Sequence, residues 1–234
     1  MRYDVLVDLA QAGNSSLLRA NSYLAEDRER IKEDHEYRQR LYRYHEVIRQ
    51  CGFKVIKKIV KHFVDDEGIL TTKANADMDL AIDALLQARN LDRVILLTGD
   101  GDFIRLVLAL QNMGCRVEVI GFRHVSNELK ETADSFLSGF LIPGLLPFHT
   151  VEGENRQRGI ALNYNPDRGF GFMRYYTLDS DGLNAESVFF HCSKASDVHD
   201  PMFMDSSNIF EFDVVVNPDN GNRTEAWNIR SADE

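Results

Sequence analysis

Two aspartates separated by a single glycine stand in Thr98-Gly99-Asp100-Gly101-Asp102-Phe103, directly behind the apolar run Arg93-Val94-Ile95-Leu96-Leu97. Asp8 closes a shorter apolar run, Asp4-Val5-Leu6-Val7-Asp8, and Asp77 opens a helical pattern that continues to residue 89. Carboxylates gathered at one edge of a sheet repel one another and raise one another's pKa. A divalent cation removes that conflict. Hard oxygen donors suit Mg²⁺ or Mn²⁺, and Mg²⁺ is held by a few carboxylates plus waters and substrate phosphate. Such a cation acidifies its water and stabilises an in-line displacement at phosphorus. The chemistry in view is therefore phosphodiester hydrolysis, although any one of these aspartates taken alone is more often a turn former or a helix cap.

A second constellation lies nearer the C-terminus. In Arg168-Gly169-Phe170-Gly171-Phe172-Met173 the two phenylalanines share one face of a strand, and the glycines leave the backbone accessible. Val188-Phe189-Phe190-His191 sets Phe189 and His191 together, with Phe190 on the opposite, core-facing side, and Tyr164 stands just upstream of Arg168. Aromatics displayed on a small barrel stack bases without regard to sequence. The competing reading of the same residues is an ordinary apolar core.

These groups need elements to position them. Residues 4–8 read as a first strand, 23–50 as a charged helix closed by Gly52, and 53–63 as a β-branched strand. Asp65-Asp66-Glu67-Gly68 is a turn, and helices are predicted over about 77–89 and 103–113. Apolar strands are predicted at 93–97 and 116–120, and Ser126 caps a last helix. Alternating apolar strands and helices predict an α/β fold, a parallel sheet with helices on both faces. In such sheets ligands lie outside the carboxyl ends of the strands. Residues 143–156, with Pro143, Gly144, Pro147 and a polar run, read as a linker. Beyond it, short strands and Gly, Asn and Asp turns predict a small all-β barrel over 157–234.

The chain has 234 residues, 27 basic and 37 acidic, for a net charge of -10. No stretch approaches the roughly 18 apolar residues of a spanning helix, and no signal-peptide core opens the chain, so a cytoplasmic protein with no membrane partner is expected. Three widely spaced cysteines disfavour a disulfide framework or a zinc module. Net acidity speaks against a phosphate ligand. Its distribution qualifies that: residues 1–149 carry 20 basic and 22 acidic side chains, and residues 150–234 carry 7 and 15.

The Thr98–Phe103 motif resembles the [ST]-G-D-x-D-F signature of NYN domains, PIN-like nucleases of the LabA group. Lys73-Ala74-Asn75-Ala76-Asp77 resembles their K-x-x-D segment. Arg116-Val117-Glu118-Val119-Ile120-Gly121-Phe122 and Ala133-Asp134-Ser135-Phe136 match their later strand and closing helix. The resemblance covers residues 3 to 140. It implies a metal-dependent nuclease acting mainly on RNA, with Asp8, Asp77, Asp100 and Asp102 holding Mg²⁺ or Mn²⁺ and Thr98 positioning a water or phosphate. Gln11 stands where the family's D-x-x-N has its Asn. The haloacid dehalogenase pattern, by contrast, needs a second aspartate where Ala10 stands.

The C-terminal part resembles a cold-shock domain, an OB-like barrel, with Arg168–Met173 and Val188–His191 as its two ribonucleoprotein motifs. Asn163 replaces the usual stacking Trp. The resemblance implies single-stranded RNA, or DNA, against Tyr164, Arg168, Phe170, Phe172, Phe189 and His191. Arg49, Lys54, Lys57, Lys58 and Lys61 would steer the backbone or simply be solvated. The charged segment from about 26 to 43 reads as a solvated helix, a lid or a homo-oligomer contact. The alternative to a nuclease is a non-catalytic RNA-binding regulator, or a protein-interaction module, with a vestigial metal site.

Overall fold

A computed structural model describes residues 1–64, 70–73, 76–148, 155–218, 221 and 223–232. The turn expected at 65–68, residues 74 and 75 of the K-x-x-D segment, and residues 149–154 of the expected linker lie outside the described residues. The chain forms two compact units, one of Ser16–Leu137 and one combining Met1–Ser15 with Ser138–Glu234.

The strand expected over residues 4–8 is instead a helix, α1 (Tyr3–Gln11). Tyr3, Val5, Leu6 and Leu9 are its buried residues. At 100° per residue they make one stripe, and Asp4 and Asp8, four apart, fall on the other side. Five apolar-flanked residues alone cannot separate strand from helix; Leu9, one turn after Val5, completes the helical period. Arg2 N donates to Leu145 O at 2.8 Å and Gly13 N to Ser180 O at 2.9 Å, which ties both ends of α1 into its own unit.

In the unit of residues 16–137, β1 (Ala20–Glu26) leads to α2 (Arg28–Glu33) and α3 (His35–Gln50). The single helix expected over 23–50 is thus a strand and two helices. Asp27 accepts from the amides of Glu29 and Arg30, and Asp34 from that of Tyr37, so each aspartate starts a new helix where charge patterning shows no break. β2 (Phe53–Ile59) pairs in parallel with β1. The strand expected over 53–63 ends there. Val60 N turns to Glu26 O at 3.0 Å, and β3 (Lys61–Val64) pairs antiparallel with β4 (Leu70–Lys73).

Next come α4 (Asp77–Gln87), β5 (Arg93–Leu97), α5 (Ile104–Asn112), β6 (Arg116–Gly121), α6 (Asn127–Thr132) and β7 (Ser135–Ser138). β5, β6 and β7 form a three-stranded sheet in that order, with β5 and β6 parallel. Its core joins Leu96, Val117 and Val119 of the strands to Phe103, Leu106, Val107, Leu110 and Leu129 of the helices. Ser135 and Phe136, expected in the closing helix, are the first residues of strand β7. The Asp134 carboxylate accepts from Val117 N at 2.7 Å and so starts the return to the sheet. That bond, with one from Gln111, holds its pKa below the usual carboxylate range.

In the other unit, β8 (Arg156–Asn165), β9 (Phe170–Asp179), β10 (Gly182–His191), α7 (Asp200–Met204), β11 (Ile209–Asn217) and β12 (Arg223–Ser231) follow. The five strands close into a barrel in the order β10-β12-β11-β8-β9, as the all-β reading expects. Phe190, Phe203, Phe210, Phe212, Met173 and Ile229 fill it. Residues 143–148 belong to this unit too. Leu145 is fully buried, and Arg158 donates to the Leu146 and Pro147 carbonyls.

Candidate active site and nucleic-acid interface

β5 delivers the Thr98–Phe103 turn at its carboxyl end, and the backbone there is held on every side. Thr98 N donates to Ile120 O at 3.1 Å, which extends the β5–β6 pairing by one residue. Thr98 Oγ1 then accepts from Asp100 N at 3.2 Å, and Asp100 Oδ1 from Asp102 N at 2.9 Å. From the next loop, Ser126 N donates to Gly99 O at 2.9 Å. The glycines are what permit this contact: a Cβ on Gly101 would sit 3.1 Å from Ser126 Oγ, and one on Gly99 3.3 Å from Val125 Cα. The result is a rigid turn with Phe103 buried beneath and the Asp100 and Asp102 side chains exposed above.

Asp77, also exposed, is the first residue of α4. Two other acids of that helix are committed elsewhere. Asp79 takes Lys58 at 2.7 Å, and Asp83 accepts from Tyr23 OH at 2.9 Å. Burial and the bond to Asp83 push the Tyr23 phenol up to about 12. These contacts fasten α4 to the β1–β2 pair. Asp8 lies in the other unit, exposed on α1 rather than at the end of a strand.

Exposed carboxylates on a constrained turn are the donor type Mg²⁺ or Mn²⁺ prefers. Among the described residues, however, no three His, Cys, Asp or Glu side chains gather closely enough to hold a metal ion. The fit is therefore one of donor chemistry at Asp100 and Asp102, with waters left to complete the shell.

On the barrel, antiparallel β9 and β10 set Phe172 opposite Phe189 and Phe170 opposite His191. One outward face thus carries four rings. Phe189 lies 5.9 Å edge-on from Phe172 and 5.7 Å from Phe170 between centroids, and Phe172 is 41% exposed. Phe190, opposite Gly171, is fully buried as its alternation predicts. Gly169, at φ +66°, lets the turn approach: a Cβ there would meet Cys192 Sγ at 2.8 Å and His191 Nε2 at 3.4 Å. His191 Nδ1 accepts from Ser193 N at 3.2 Å, which orients the ring against the following turn. Arg168 is exposed beside them.

Tyr164 departs from the expected set. Its ring, 5.9 Å from Phe190 and 5.2 Å from Phe203, packs against the barrel core, and burial raises its phenol. A residue of different use was missed. Asn163 Oδ1 accepts from Phe172 N at 3.1 Å where β8 and β9 shift register, so Asn163 fixes the aromatic strand. The steering lysines are also partly committed, Lys57 to Glu26 at 2.9 Å and Lys58 to Asp79.

The fold and its turn define an α/β domain with carboxylates at a strand end, joined to an OB-like barrel. The NYN domain model matches residues 1–145, α1 included, and the chain belongs to that family of PIN-like nucleases. Members act on nucleic acid and generally use divalent metals. No curated protein matches the chain. A solved structure, that of a protein of unknown function from Vibrio parahaemolyticus, is 30% identical over 58% of this chain and 76% of its own, with a TM-score of 0.47. No helix among the described residues is long and apolar enough to cross a membrane.

Proposed function

We propose that this protein is a Mg²⁺- or Mn²⁺-dependent endoribonuclease that cleaves single-stranded RNA, with the barrel binding the strand through its aromatic face. The observation that carries this is the Thr98–Phe103 turn, where a hydrogen-bonded backbone exposes the carboxylates of Asp100 and Asp102 at the carboxyl end of a parallel strand in a chain of a nuclease family. Asp100 and Asp102 are the proposed metal ligands for their donor chemistry and exposure on the turn, and Asp77 joins them as the exposed first residue of α4; Asp8 joins them on the family's pattern alone. The cation would supply an acidified water and charge neutralisation at phosphorus. The chain's own part is positional. The Thr98 hydroxyl, already accepting from Asp100 N, orders the turn and presents its proton to a water or phosphate oxygen. Phe170, Phe172, Phe189 and His191, with Arg168, offer ring faces and donors to unpaired bases.

The barrel's 7 basic against 15 acidic residues over 150–234 favour a second reading, a non-catalytic module that contacts a basic protein. One assay separates the two. Purified protein should cleave single-stranded RNA with Mn²⁺ and stop with EDTA, while Asp100→Asn should retain RNA and not cut it. An Asp100→Asn variant as active as the parent would overturn the metal assignment.

A further inference from the structure

One stretch of the chain carries a marked excess of positive charge. Residues 37–58 carry seven basic side chains, Arg38, Arg40, Arg43, Arg49, Lys54, Lys57 and Lys58, against a single acid, Glu46. Without this stretch, the near-neutral part of the chain before residue 150 would be as acidic as the barrel. The stretch is α3 and β2, and α3 is oriented. Ile48 and His45 are buried, while Arg40, Arg43, Tyr44 and Val47 are exposed. Those four occupy positions i, i+3, i+4 and i+7, which adjoin on a helix surface. Arg49 has Glu46 at 3.7 Å, Lys57 has Glu26 and Lys58 has Asp79, but Arg40 and Arg43 have no ion pair among the described residues. On the neighbouring flank the Lys57 ammonium stands 5.7 Å above the Tyr42 ring.

We infer that the Arg40–Arg43–Tyr44 ridge of α3 is a binding surface for the sugar-phosphate backbone of single-stranded nucleic acid, separate from the barrel's aromatic face. This rests on the reading of the substrate given above. Two guanidinium groups one turn apart, each with free donors, match adjacent phosphates. An exposed tyrosine beside them offers a face to a base. An acidic chain of a nuclease family needs a local field to bring a polyanion to it, and this ridge lies in the strongest positive stretch of the sequence. The two surfaces divide the work: the ridge contributes charge, the barrel stacking.

The test is fluorescence anisotropy with a labelled oligouridylate on the full chain, in EDTA, over a series of salt concentrations. Each phosphate contact on a single strand contributes about 0.7 to the slope of log affinity against log salt. Arg40→Ala with Arg43→Ala should lower that slope by about 1.4 and weaken binding alike for all base compositions. Arg40→Lys with Arg43→Lys should restore most of it. Phe170→Ala with Phe189→Ala should instead weaken binding and leave the slope unchanged. An alanine pair with an unaltered slope and an unaltered melting temperature overturns the inference. So does sedimentation showing that the ridge holds a second copy of the chain, with the alanine pair monomeric and its RNA affinity intact. Because EDTA removes cleavage from the readout, failure of the nuclease reading (no cut with Mn²⁺) is distinguishable from failure of the ridge.

Discussion

Asp100 accepts the amide hydrogen of Asp102 at 2.9 Å, so the first carboxylate of the proposed site also builds the turn that presents the second. Asp100 is the N-cap of the one-turn 3-10 helix Gly101–Phe103. Its two roles are separable by substitution. Asn keeps an acceptor oxygen and removes the charge, so Asp100→Asn should melt with the parent while losing about 10²–10³ in cleavage rate, the size of a lost transition-state electrostatic contact. Asp100→Ala also loses the cap and should cost about 1 kcal/mol of stability. Thermal melts beside single-turnover cleavage decide it. Equal cleavage by parent and Asn variant would leave Asp100 a turn former.

Phe172 and Phe189 stand opposite each other in register, and Phe170 stands opposite His191, so removing one ring from each pair should halve the stacking surface. Phe170→Ala with Phe189→Ala is expected to cost roughly 1–3 kcal/mol of RNA affinity for each base no longer stacked. Neither ring belongs to the buried core of the barrel, which should therefore fold unchanged. Unchanged RNA affinity would instead assign this face to a protein partner.

The parts of this architecture visible in the sequence are those where period and chemistry coincide. Residues 93–103 read correctly as strand, turn and helix because an apolar run meets two glycines and a capping aspartate within a few positions. The β9–β10 face was equally legible: alternation alone placed Phe170 with Phe172, and Phe190 inside. Residues 4–8 were not, because strand and helix patterns are degenerate over five positions and the deciding residue, Leu9, lies beyond them. The 23–50 segment failed for another reason. Asp27 and Asp34 act as caps, but amid so many charges a capping aspartate resembles any other. Tyr164 packs the core and Asn163 fixes the aromatic strand at the register shift between Ala161 and Asn163, a backbone irregularity that no residue pattern announces. The Arg40–Arg43 ridge was within reach of a simple charge count over α3 and β2.

His45 is 1% exposed, with no hydrogen bond at either ring nitrogen. Burial lowers its pKa below 6.5. Lys57 on β2 and Arg49 on its own helix act in the same direction, and Glu26 on β1 acts against them. The sign follows directly. The unfolded chain takes up a proton near pH 6.5 that the folded chain refuses until a lower pH, so stability is lost as pH falls through that window. In denaturation from about pH 7 to about pH 5, His45→Leu should lose less stability than the parent. Parallel curves for the two proteins would remove His45 as the source.

Arg158 meets Glu211 through Nε at 2.8 Å and Nη2 at 2.6 Å, with both side chains almost wholly buried, and Arg156 pairs with Asp213 at 3.1 Å beside them. Arg158 also donates to the carbonyls of Leu146 and Pro147, so this pair attaches residues 146–147 to the barrel wall. A buried pair costs more to break than to replace. Glu211→Gln leaves the buried Arg158 charge with carbonyl dipoles and the Phe148 ring, 5.0 Å away, but no carboxylate, and should destabilise the chain by about 3–5 kcal/mol. Arg158→Met with Glu211→Met removes both charges and keeps the volume, so the double variant should recover much of that loss. It should not recover all of it, because the part-buried Leu146 and Pro147 carbonyls lose their donor and Arg156, 3.5 Å from Glu211, loses one of its two carboxylates. Chemical denaturation of the parent, the single variant and the double variant orders the three. A double variant less stable than Glu211→Gln would mean that the carbonyl contacts, and not the ion pair, hold this segment to the barrel.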